Sequence, residues 1–147
     1  MRPAFRILAA CLAAAIAAPA FASPTTDALS ECLVDHANGR DRKNLARWMI
    51  FAMAVHPETK STFAITPEAK EAADRGAAQL FQRLMAVDCA TELHAAFKTD
   101  GQVATQMAFA RLGQVAVQEL MADPSVKVAI SDFTKYVDMD AVGKVLK

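Results

Sequence analysis

The sequence contains no CxxC, no CxxCH, no HxxxH and no GxSxG. The first two absences exclude a zinc ribbon and covalent c-type haem attachment. The third removes paired histidines on one helix face as a metal site, and the fourth removes the nucleophile elbow of the α/β-hydrolases. There is one Trp and one Tyr, and Gly numbers only 5. β-Branched residues nowhere alternate with period two, so a sheet protein is not indicated. Neither sign of charge is in excess, with 16 Lys and Arg against 16 Asp and Glu. Net charge therefore calls for neither nucleic acid nor an anionic membrane. No repeat, low-complexity tract or linker divides the chain.

What is present begins with an export signal. Arg2 and Arg6 give a basic start, Ile7 to Ala18 is apolar, and Ala20-Phe21-Ala22 offers small residues at both positions a signal peptidase reads. Residues 1–22 are expected to be a secretory signal peptide, cleaved near Ala22. The competing lipobox, Leu8-Ala9-Ala10-Cys11, leaves only Ile7 to Ala10 between Arg6 and Cys11. That is short of the roughly 7–15 apolar residues a signal needs. The design is bacterial, so the expected destination is the periplasm or the exterior. The remaining 23–147 form one domain by length. Two basic residues leave with the signal, so 14 of the 16 remain against 16 acidic, a net charge of −2.

Cys11 leaves as well. Cys32 and Cys89 remain, an even number in an oxidising compartment, and are expected to form a disulfide.

The pattern beyond residue 23 is helical. Asp41 to Val55, DRKNLARWMIFAMAV, holds an unbroken apolar run from Trp48. A helix apolar nearly all round must be buried nearly all round, yet at 15 residues it falls short of the roughly 20 that span a bilayer. The expectation is an all-α, irregular bundle of five or six helices around this central helix (41–55), with Trp48 deep in the core. A first helix runs from about Thr26 to His36, its inner face Leu29, Cys32, Leu33 and His36, and Asn38-Gly39 stops it. Asp41 is the expected N-cap of the central helix, and His56-Pro57 its end. Thr66-Pro67-Glu68 restarts a helix to about Val87. Asp88-Cys89 begins another to about Lys98. Gln102 to Ala122 carries Phe109, Leu112, Ala116, Val117 and Leu120 in one stripe, and Gly113 in it lets a neighbour approach. Asp123-Pro124 starts a helix to about Val137, packed by Val126, Ala129, Ile130, Phe133 and Val137.

One polar feature stands apart. Arg40, Arg42, Lys43 and Arg47 crowd the start of the central helix, where the macrodipole disfavours cations. Lys43 and Arg47 are also a like-charge i,i+4 pair. Something acidic must offset them. One source is internal, from Asp35, Asp41 or another helix. The other is external, an anionic partner surface. His36, His56 and His94 share no ligand spacing, and Met49, Met53, Met85, Met107 and Met121 fit gap-filling in a core. No metal and no cofactor are expected. Export, small size, one staple and missing catalytic motifs together suggest a non-enzymatic protein that binds another envelope protein, of inhibitor or toxin-immunity type. Its contact would lie on the four basic residues. The alternative is a bundle binding a small apolar ligand, lipid or haem.

Overall fold

The computed structural model describes residues 22–145. The expected signal peptide, residues 1–22, lies almost wholly outside them. Among the described residues there are eight α-helices and no strand. They are α1 (Pro24–His36), α2 (Gly39–Met53), α3 (Pro57–Lys60), α4 (Pro67–Arg83), α5 (Ala90–Asp100), α6 (Gln102–Met121), α7 (Pro124–Ser131) and α8 (Met139–Val145). A π-helical turn, Leu84–Asp88, joins α4 to α5, and a 3-10 turn, Asp132–Tyr136, follows α7. The all-α irregular bundle is as expected. None of these helices is long and apolar enough to cross a membrane.

Local chemistry sets the boundaries. Ser23, Thr66 and Asp123 cap α1, α4 and α7, each with Pro at the first helical position. The start of α2 corrects the sequence reading. Asn38 is the N-cap, and its side chain accepts from the backbone of Arg40 and Asp41. Asp41 sits at the third position and accepts from the Asn38 N–H, closing a capping box. Asn38 thus opens α2 as well as ending the approach from α1. Gly101, at φ 62°, turns the chain between α5 and α6 in a conformation open to glycine.

The core is also placed differently from expectation. Its largest fully covered apolar side chains are Leu29 and Leu33 of α1, Leu84 and Cys89 around the π turn, and Leu112 of α6. α6 packs against α1, α2 and α5 and is the true centre. Ala104, Ala108, Leu112 and Ala116 recur every four residues on its buried face. Alanines there let α1 and α5 come close. α2 contributes only Leu45 and Ala46 as buried residues. It lies across α4 and α6, and Met53 and Val55 at its end are 62% and 59% exposed. The unbroken apolar run is therefore not a core helix. Trp48 is half-buried, not deep: its indole N–H donates to Asp74 on α4 at 3.0 Å. Of the methionines, Met85 is buried, while Met53 and Met121 face water.

Cys32 and Cys89 form the expected disulfide, with Cα atoms 5.9 Å apart. It ties α1 to the residue before α5. His36, expected on the inner face, is exposed and bonds back to the Cys32 carbonyl at 2.9 Å.

Beyond α6 the expectation of a packed helix to Val137 also fails. α7 ends at Ser131, and Ile130, Phe133 and Val137 are exposed. Apart from half-buried Val126, every residue from Pro124 to Val142 is exposed.

Candidate interaction surface

The four basic residues of α2 separate into two roles. Arg42 turns inward. Its Nε donates to Glu119 of α6 at 2.5 Å, and its guanidinium also bonds the Ala37 carbonyl. Both side chains are about a quarter to a third exposed. Arg42 thus ties the α1–α2 corner to the end of α6. The internal acid foreseen from sequence exists for this residue, and it is Glu119. Asp41 is otherwise engaged, paired with Arg83 at 2.7 Å, while Arg83 also holds Asp88. Asp35 lies on α1 in a separate acidic trough with Asp27 and Glu31.

Arg40, Lys43 and Arg47 face water and have no ion-pair partner within 4.0 Å among the described residues. Their spacing of three and four residues puts all three on one face of α2. The same face continues into half-buried Ile50 and Phe51. Lys43, Arg47, Ile50 and Phe51 form one wall of an open cavity of about 450 Å³, completed by Ala116, Glu119 and Leu120 near the end of α6 and by Asp123. On the other flank Arg47 and Phe51 border a cavity of about 300 Å³ over small residues of α4: Ala69, Ala72, Ala73 and Gly76. Phe51 also lines a third, of about 270 Å³, with Val55, Phe63 and Ile65. The outer face of α2 is therefore a ridge with basic residues at one end and an apolar middle, troughed on both sides. Asp123, whose carboxyl is held below the usual range mainly by bonds from Ser125, feels Lys43 only as a minor attraction.

Sequence reasoning found the cations but not their split, because side-chain direction depends on where α6 lies. It missed Phe51 as a surface residue, since an apolar run reads as core.

Cys32, His36 and Cys89 bring three potential ligand atoms within 4.8 Å of one another. Both sulfurs are joined in the disulfide, so neither is a thiolate ligand. His56 accepts from Glu58 N–H and caps α3, and His94 is exposed. The uncharged cleft between α2 and α6, about 660 Å³, includes Met49 in its lining but no histidine. The Met/His pairing of a non-covalent haem site is not assembled there. Elsewhere, Asp100 at the end of α5 accepts from the hydroxyls of Ser23 and Thr26. Those two bonds hold its carboxyl below the usual range. They tie the start of α1 to the end of α5, which is a structural role. Comparison with protein families, with curated proteins and with solved structures finds no match for this chain.

Proposed function

We propose that this is an exported bacterial protein that binds another protein of the cell envelope, of inhibitor or toxin-immunity type, without catalysing a reaction. Export rests on the basic, apolar and Ala20-Phe21-Ala22 pattern of the first 22 residues. The observation that carries the binding role is the exposed row Arg40, Lys43 and Arg47, without an ion-pair partner among the described residues and continuous with Ile50 and Phe51. Cations near a helix N-terminus repel the dipole and one another, which lowers the stability of the free protein. An acidic partner surface offsets that repulsion on contact and speeds encounter. Arginine adds bidentate bonding to carboxylates. Ile50 and Phe51 supply the apolar centre that such contacts need.

The test is paired affinity capture from envelope extract at low and high salt. The baits are the wild-type chain and the Arg40→Glu/Lys43→Glu variant. A specific protein held at low salt by wild type and lost by the variant supports the reading. A partner held equally by both places the contact elsewhere.

A further inference from the structure

The C-terminal arm, Pro124–Val145, is built but uncovered. Asp123 caps it, accepting from the backbone N–H of Ser125 at 2.8 Å. Its sequence carries an apolar stripe of Val126, Ala129, Ile130, Phe133 and Val137 at helical spacing. Such a stripe needs a cover, and among the described residues the body supplies none beyond half-burying Val126. Ile130 is 47% and Phe133 62% exposed. α7 touches the end of α6 and its own 3-10 turn.

A second apolar surface, partly covered, lies on the body. Leu45, Trp48 and Met49 of α2 face Phe109, Gly113 and Val117 of α6 across the 660 Å³ cleft. Phe81 stacks on Phe109 at 4.6 Å between ring centres, bringing α4 against this side of α6. Gly113 lies on the floor, and the tip of Met49 is 3.6 Å from where a Cβ would stand, an ordinary packing distance. The polar side chains at the rim are Gln106, Gln114 and Gln118, all uncharged.

We propose that two copies of this chain pair by exchanging arms, each arm lying in the Trp48–Phe109 cleft of the other copy. Charge selects this cleft over the basic ridge. Lys127, Lys135 and Lys144 in the arm are balanced by Asp132, Asp138 and Asp140. An arm of no net charge with an apolar stripe suits an uncharged apolar cleft and gains little from a cationic ridge. Position selects the second copy. In its own copy α7 packs on α6 and the following 3-10 turn and not on α2 or α4, which flank the cleft. The cleft lies back along α6 from Gln118 to Gln106, a span of about 18 Å at about 1.5 Å per residue. An arm from another copy can enter without remaking the join. Size agrees as well. The arm holds helical pieces of 8, 5 and 7 residues. Two-fold symmetry makes each contact twice, so each copy gives one arm and one cleft, within reach of the roughly 20–30 residues per side of a standard interface. The inference does not use the basic ridge and stands apart from the partner proposed above.

The test is light scattering of the exported full-length chain from about 1 to about 100 µM, where mass action separates a monomer from a pair. Ile130→Asp/Phe133→Asp disables the arm, and Val117→Asp disables the cleft. All three positions are exposed, and circular dichroism checks that each variant folds. Twice the chain mass for wild type, and the single-chain mass for both variants, is the expected result. Trp48 emission should shift to the blue with concentration in wild type alone. A wild-type monomer at the highest concentration overturns the proposal, as does a pair that survives both variants or a series of larger assemblies. A wild-type monomer whose Trp48 spectrum changes when the arm is disabled would instead place the arm on its own cleft, and also overturns it.

Discussion

Reducing the Cys32–Cys89 disulfide removes a cross-link that spans 57 residues of sequence. On the chain-entropy model, closing a loop of that length restricts the unfolded chain by about 4 kcal/mol at 25 °C. Domains of this size are typically stable by about 5–15 kcal/mol, so the loss is a large fraction of the whole. The location adds to it. Cys89 is completely buried beside Leu84, and Cys32 anchors α1, whose Leu29 and Leu33 are at the core. With a urea slope of about 2 kcal/mol per molar, the unfolding midpoint should fall by about 2 M. The assay is urea unfolding followed by circular dichroism, comparing oxidised protein with protein unfolded, reduced and refolded under reductant. Thiol titration of the unfolded, unreduced chain should find no free thiol beyond any retained Cys11. Coincident midpoints, or two further titratable thiols without reductant, would refute the reasoning.

Three further outcomes follow from other parts of the molecule. Leu112→Ala empties a fully covered position on α6 and should cost about 2–5 kcal/mol in the same urea assay, with α-helix content kept at low denaturant. Asp100 has its folded pKa depressed by the Ser23 and Thr26 hydroxyls, so its contribution is present above the unfolded value of about 3.9 and is lost as pH falls through the lower folded value. Acid unfolding of Asp100→Asn should be less steep below about pH 4 than that of wild type, and its stability at pH 7 should be lower. Trp48, half-buried at an open cleft, should be quenched by iodide in monomeric protein to a degree between a buried and a free indole. Complete protection in a monomer would contradict the exposed cleft.

Much of the fold was legible because its signals are local. The cap-plus-proline restarts at Thr66-Pro67 and Asp123-Pro124 fall where the residues themselves dictate, and so do the helix boundaries there. The disulfide was expected from the pair Cys32 and Cys89 that remains beyond the expected signal peptide, and from the oxidising compartment such a signal implies. The hierarchy of helices was not legible. Ala104, Ala108 and Ala116 weigh little in a hydropathy pattern, yet their small size is what makes α6 the seam of the bundle. Trp48 to Val55 weighs heavily, yet it lies at the edge. Likewise the stripe from Val126 to Val137 was readable as a face needing cover, while the sequence cannot say which body provides it. At the candidate site the four cations were visible together, but only the position of Glu119 on α6 separates Arg42 from the rest.

The central claim is that Arg40 and Lys43 burden the free fold and are available to a partner, while Arg42 belongs to the scaffold. Urea unfolding of Arg40→Glu/Lys43→Glu beside Arg42→Ala tests it most directly. Glu at position 40 suits the first turn of α2, and Glu at 43 would attract Arg47 in place of a repelling lysine. The new charge near Glu119 and Asp123 offsets part of this gain. The double reversal should leave stability unchanged or raise it by up to about 1 kcal/mol. Arg42→Ala should lower it by about 1–2 kcal/mol, through loss of a charge-assisted bond to Glu119 and the Ala37 carbonyl. A double reversal that destabilises the protein by several kcal/mol would put Arg40 and Lys43 in the scaffold and contradict the account.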